Sequence, residues 1–400
     1  MPLETMQEKE QNKKYRILLV IGIVLIAFNL RAAITSVGPV LGFIREDLGV
    51  DHSSVGVLTT MVLLTFAGVS AVAYRFGNRV GHQRALFLGL IVLVAGILIR
   101  TVPNLWFLYA GSVAVGAGIA VCNVLLPGVI KWSFPAKMGL MTSIYTTCMA
   151  ISAAFASGLS APIAEQSGTG WQGALLLWTL PALAGIILWA FILHGEKKKA
   201  PPVKEIDRTT LIWKSTLAWQ VTLFMGFQSI GFYVMITWLP DILVETGGVA
   251  LTSAGWMVAM MQAASLPASF VTPILAERFR HQVGIIITIG ITALTGLSLL
   301  LAASTFSMLI AAVLCIGLVQ GASISLALAL FGLRAETAGK AAELSGMGQS
   351  IGYLLAAFGP LVVGVLYDWT GAWSAGLIFL MIIAICQMTA GIGAGRNKYV

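Results

Sequence analysis

The residue of this 400-residue chain best placed to do chemistry is Arg31, an arginine in the middle of an apolar run. The run spans 17–44 and carries no other charge. A guanidinium at that depth costs at least about 2.5–3.5 kcal/mol and is tolerated where it meets a polar cavity, a partner or a ligand. Its planar fork of donors pairs with carboxylate-like or nitro groups. Thr35 lies four residues on and Gly38 seven, so on a helix the three share a stripe, with Gly38 leaving room near the charge.

Other polar residues inside apolar runs supply a neutral lining. Asn123 shares a stripe with Gly116, Ala120 and Pro127, and Tyr145, Thr146 and Thr147 form a polar group further on. The second half of the chain adds Gln228, Ser229, Tyr233, Gln262, Gln320, Ser323, and Gln349 with Tyr353 four residues later. Each alone also serves as interhelical glue. As a set around one fixed positive charge they suit a small anion or a polar aromatic ligand.

The missing chemistry narrows the mechanism. All 16 acidic residues and all four histidines fall in predicted loops or at helix ends, whereas proton relays normally need such a group at depth. The stretch from Gly332 to Lys340 does not meet the spacing of a phosphate-binding loop. Cys122, Cys148, Cys315 and Cys386 lie in predicted helices at no metal spacing and read as packing residues. No catalytic constellation is present, so an enzyme is not expected, nor is a cofactor.

These side chains need a membrane to hold them. The chain is 58% hydrophobic and 10% charged, against roughly 25% charged for soluble domains. Twelve apolar stretches are long enough to cross a core of about 30 Å as helices: 17–44, 53–74, 85–102, 105–130, 138–164, 172–193, 216–243, 252–275, 283–303, 306–331, 341–367 and 373–394. Barrel strands would be about ten residues of alternating polarity, so these continuous runs are helical. If both termini are cytoplasmic, all 24 Lys and Arg lie inside except Arg45 and Arg100, outside, and Arg31, buried. The net charge of +8 is then a topology signal, and no nucleic-acid partner is implied. The polar first fifteen residues and the long run behind them predict a retained first helix, not a cleaved signal.

The hydrophilic stretch around Lys197–Lys214, with Pro201 and Pro202, divides the chain into bundles at 1–195 and 216–400, joined by a linker at 196–215. The halves look duplicated. Arg79, His82 and Gln83 recur as Arg278, His281 and Gln282, and Ser54 and Gly56 as Ser253 and Gly255, all at an offset of 199.

Two six-helix halves, a basic central loop and the segment Asn78-Arg79-Val80-Gly81-His82-Gln83-Arg84 resemble the major facilitator superfamily. More narrowly, Asn29-Leu30-Arg31 with Thr35-Ser36-Val37-Gly38-Pro39, Asn123-Val124-Leu125-Leu126-Pro127, Trp238-Leu239-Pro240, and Gln349-Ser350-Ile351-Gly352-Tyr353 with Gly359-Pro360 resemble its cyanate permease and 2-nitroimidazole transporter family. The resemblance implies an all-α integral membrane fold of twelve transmembrane helices in two six-helix bundles, and a loop between helices 2 and 3 that helps close one conformation. Tyr74 and Asn78 replace the Gly and Asp usual in that loop, which moves the expected lock to Glu277 with Arg278, the repeat counterparts of Asn78 and Arg79, and Arg79 and Gly81 complete the expected switch.

The expected function is secondary transport by alternating access, in the cytoplasmic (inner) membrane, of a small anion or polar nitrogen compound such as cyanate, a nitrate-like anion or a 2-nitroimidazole. A monomer is expected. A multidrug exporter would want a larger apolar cavity and a buried acid, and a non-transporting sensor would want a soluble domain. The linker reads as a tether, and loop entropy grows slowly with length. Inserting a few Gly and Ser between Ala200 and Lys204 should therefore leave uptake by expressing cells intact; loss of uptake at normal expression would mean that the segment binds something.

Overall fold

The computed structural model describes residues 3–49, 52–166, 168–195, 212–249 and 251–400, and every regular element among them is helical. The first half contains α1 (Leu3–Thr35), α2 (Leu41–Leu48), α3 (His52–Val80), α4 (His82–Arg100), α5 (Leu105–Ser133), α6 (Met138–Gln166), α7 (Gly170–Leu176) and α8 (Thr179–Gly195). The second contains α9 (Thr216–Gly247), α10 (Leu251–Arg278), α11 (Val283–Leu301), α12 (Phe306–Leu333), α13 (Ala338–Thr370) and α14 (Trp373–Ala394). Among the described residues, 11 helical segments are long and apolar enough to span a membrane, and the 29-residue α3 stands where the second span is predicted. Most of the predicted linker, residues 196–211, lies outside the described residues.

Two predicted spans are broken, and proline is the reason in both. Pro39 has no N–H and restricts the residue before it, so α1 stops at Thr35, Val37 N–H turns back to the Ile34 carbonyl, and a 3-10 turn at Gly38–Val40 leads into α2. Pro181 likewise removes the donor for the Leu177 carbonyl, Leu180 N–H takes it at shorter spacing, and the sixth span divides into α7 and α8. Elsewhere the ends carry capping chemistry. Asn104, Ser215, Thr305 and Thr337 accept from the first-turn N–H groups of α5, α9, α12 and α13, and Gly248 and Gly371 end α9 and α13 in the left-handed region.

Side chains divide by face. Leu180, Leu183, Ile187 and Phe191 of α8 recur every three or four residues and are 41–65% exposed, as a stripe turned to lipid must be. Small residues draw the inner helices together. A Cβ on Gly118 of α5 would lie 2.5 Å from the Gly89 carbonyl oxygen of α4, and one on Gly321 of α12 would lie 2.1 Å from that of Ser265 in α10. Because the obstacle is backbone, Gly118→Val should force α4 and α5 apart and cost about 1–3 kcal/mol or more, read as a lowered melting temperature of the detergent-purified protein.

Candidate substrate site

The two halves are tied at the end that carries the basic loops. There Glu277, on the last turn of α10, accepts from the Gly139 N–H at 2.8 Å, so its carboxylate sits on the otherwise unpaired N-terminus of α6. Lys131 of α5 reaches the carbonyls of Gly332, at 2.7 Å, and of Ala335, at the C-terminus of α12. Arg75 of α3 lies near enough to Glu343 of α13 to act on it electrostatically.

Toward the middle, the halves are tied through carbonyls that prolines leave free. Pro127 has no N–H for the Asn123 carbonyl four residues back, and Gln349 of α13 donates to that carbonyl at 3.0 Å. Pro273 leaves the Ser269 carbonyl in the same position, and the Thr146 hydroxyl of α6 donates to it at 3.2 Å. Ser350 of α13 adds a bond to the Ala67 carbonyl of α3.

Beside these ties lies a cavity of about 40 Å³, room for about three waters. Arg31 lines it from α1, Thr146 and Met149 from α6, Phe232 from α9, Gln262, Ser265 and Ser269 from α10, and Gln320 from α12. The guanidinium carbon of Arg31 stands 4.6 Å from the centroid of the Phe232 ring, a cation–π contact that crosses from one half to the other. Among the described residues no carboxylate pairs with Arg31.

The donors in this cavity are sorted by use. Ser265, Ser269 and Thr146 each donate their hydroxyl proton to a backbone carbonyl. Gln320 is 7% exposed, with neither its amide oxygen nor its nitrogen bonded. The side chains with uncommitted N–H groups are thus Arg31 and Gln320, joined by Gln262, whose amide has no partner among the described residues. With no acidic residue among the described residues of the lining, such a set complements an acceptor-rich, negatively polarised ligand.

The cavity gathers three of the ten expected ligand residues, Arg31, Gln262 and Gln320. Tyr233 and Tyr353 lie close enough to Arg31 to feel its charge, Tyr233 edge-on to Phe232 and Tyr353 against Phe66 at 4.8 Å. Tyr145 is buried with its hydroxyl unbonded, in electrostatic reach of Tyr353. Thr35 is used otherwise: its hydroxyl donates to the carbonyls of Arg31 and Ala153, fastening the end of α1 to α6. Gln349 is committed to the backbone carbonyl of Asn123 across the halves, and Gln228 donates to Ser229 beside a different cavity. Of the expected switch residues, Arg79 and Arg278 are exposed, Gly81 turns the chain between α3 and α4 at φ 93°, and Glu277 alone bridges the halves.

Two residues were not legible as they stand. Phe232 looks in sequence like any apolar residue of a span. Arg100, expected outside, is 1% exposed and donates at 2.8 Å to the Ala33 carbonyl, which lost its helical partner where α1 breaks. Its place at the end of a span before Thr101-Val102-Pro103 gave it the look of a loop residue. The break it serves is a tertiary fact.

Long apolar helices in two halves, meeting around a polar cavity, define a multi-pass membrane carrier. The chain belongs to the major facilitator superfamily, whose family model matches residues 21–357. It is 47% identical over 382 residues to the uncharacterized transporter YycB of Bacillus subtilis, covering 96% of this chain and 94% of that one. It is 38% identical to the 2-nitroimidazole transporter of Escherichia coli, covering 97% and 98%, and 24% identical to the cyanate transport protein CynX of the same organism, covering 87% and 90%. Among solved structures it superposes on the transporter FucP in the outward conformation with a TM-score of 0.72 at 14% identity, covering 95% and 98%. These relatives are transporters, not enzymes.

The grip of Glu277 on α6 sets an expectation. A carboxylate at a helix N-terminus is worth about 0.5–2 kcal/mol, or roughly a 2- to 30-fold change in population. Glu277→Ala should open the basic end by that order, seen as faster labelling of single cysteines placed there. Asn78→Ala, which removes a side chain bonded to Tyr74 in its own helix, should change the labelling little.

Proposed function

We propose that the chain is a secondary carrier that works by alternating access and holds a small, planar anion or nitro compound against Arg31, between bundles at 1–195 and 216–400. The observation that carries this reading is a half-buried guanidinium with no carboxylate partner among the described residues, lining one cavity with the unbonded amide of Gln320. A cation kept without a counter-ion in an apolar slab is stabilised by the ligand that supplies one. The substrates for which two relatives are named, 2-nitroimidazole and cyanate, are compact and rich in acceptors or negative charge, which supports the same class.

In this reading the basic end faces the cytoplasm, so both termini are cytoplasmic and the membrane is the cytoplasmic one. The ties there, through Glu277 and Lys131, support an outward-facing or occluded state. Substrate enters from the opposite side, and rocking of the bundles breaks those ties and exposes the site to the cytoplasm. Arg79, Gly81 and Arg278 act in the turns that move, and Glu277 acts as the latch. The carrier works as a monomer.

Arg31→Lys keeps the charge but loses the fork, and Arg31→Gln loses the charge. Lys should weaken nitrate or nitroimidazole binding by about tenfold and Gln by more, since bonds to charged groups are worth about 1.5–3 kcal/mol. Both variants should fold and insert. Binding by isothermal titration of the purified protein decides: an Arg31→Gln variant that binds like its parent would make Arg31 a structural partner of neighbouring helices.

A further inference from the structure

Next to the Arg31 cavity, and sharing two walls with it, lies a second chamber of about 50 Å³ inside the C-terminal half. Phe232 and Gln320 line both. Unlike the first, the second is almost wholly apolar, bounded by Met235 of α9, Leu297 of α11, Ile316 of α12 and Ala384 of α14. The space is open on the side of α9, since a Cβ built on Gly231 would meet nothing within 4 Å. Gln228 and Gln387, the other amides at its edge, bond to Ser229 and Ser323. Gln320 is the exception, with both amide atoms buried and unbonded at the boundary. A polar group so placed calls for a partner that neither chamber holds.

We infer that the two chambers form one binding site for an amphiphilic planar anion, with the acidic head on Arg31 and Gln320 and an aromatic ring in the apolar chamber, and that Phe232 is the movable partition between them. This rests on Arg31 as the anion receptor. Neither chamber alone takes a ring, since an apolar cavity that binds benzene measures about 150 Å³. Displacing the Phe232 ring joins them and adds the volume it vacates. The same displacement frees the face of the guanidinium that Phe232 covers, so a ligand that brings both head and ring replaces both contacts that Phe232 makes. A compact anion has no group to put in the apolar chamber and leaves Phe232 in place. The site therefore selects for aromatic carboxylates and nitro compounds over inorganic anions.

Benzoate and nitrate, titrated into the purified full-length protein, separate the parts. The parent should bind benzoate at least about tenfold more tightly than nitrate, the discrimination a filled apolar pocket gives. Gly231→Leu, which places a side chain in open space, and Ala384→Leu, which fills the chamber from the opposite wall, should each remove that advantage and leave nitrate binding within about twofold. Unchanged melting temperatures show that each variant is folded. A parent that binds benzoate no more tightly than nitrate overturns the inference, as do variants that leave the benzoate preference intact or lower both ligands alike. Failure of the anion reading is distinct: Arg31→Gln would then bind both ligands like the parent, whatever the chamber variants do.

Discussion

A backbone carbonyl or N–H left over inside an apolar slab must find a partner within the protein, and this requirement organises the molecule. Interruptions of a helix create such leftover groups, and at several of them a side chain from elsewhere meets the group. Arg100 takes the Ala33 carbonyl at the break of α1, Gln349 the Asn123 carbonyl freed by Pro127, and Thr146 the Ser269 carbonyl freed by Pro273. Glu277 meets the N-terminus of α6 and Lys131 the C-terminus of α12. Except for Arg100, these partners come from the opposite half. The polar bonds that hold the halves together are therefore local ones to exposed backbone, separable without unfolding either half, because every helix keeps its own ladder when they part.

The landmarks of the two halves correspond, and so the departures show. Ser54 and Ser253 lie in the first turn of α3 and of α10, whereas the bonds to carbonyls freed by proline do not follow the offset of 199, since one joins α13 to α5 and the other α6 to α10. At the basic end the symmetry fails: Glu277 reaches across to Gly139, whereas its counterpart Asn78 bonds to Tyr74 on its own helix. At the centre it fails again. Pro39 breaks the first span, while α9 accommodates Pro240 and runs unbroken from Thr216 to Gly247. The half with the break carries Arg31 four residues before the end of α1 and Arg100 beneath it, so the cation sits on a helix end fixed by a second cation.

What the sequence made legible follows from which forces are local. Span lengths and the polar interruption in the middle are one-dimensional properties, and α3 to α6 and α9 to α14 fall within a few residues of where hydropathy puts them, their ends carried past it by polar turns. Arg31 was legible because a lone charge in an apolar run has few explanations. The polar residues were legible as polar but not as partners. Gln349 meets the Asn123 carbonyl and Thr35 those of Arg31 and Ala153, and a sequence does not say which face of which helix will meet such side chains. Phe232 left no signal, since its role comes from the guanidinium it covers. The burial of Arg100 was not legible because a helix end in a sequence looks solvated, and only the folded break in α1 covers it.

The contact between Arg31 and Phe232 joins the site to the motion under the proposed reading, because it links α1 of one half to α9 of the other. A cation–π contact of this kind is worth about 0.5–2 kcal/mol, comparable to one of the ties at the basic end. A ligand shifts a conformational equilibrium only by the difference in its affinity for the two states. One that takes the guanidinium from Phe232 exchanges a contact across the halves for contacts of its own. Whether the halves then close or part depends on what the ligand offers to the second half in return. An anion bonded by Arg31 on one side and by Gln262 and Gln320 on the other restores the link that Phe232 gave up, and an anion too small to span them does not. Size and acceptor geometry thus set which ligands are carried as well as which are bound, through the same three side chains.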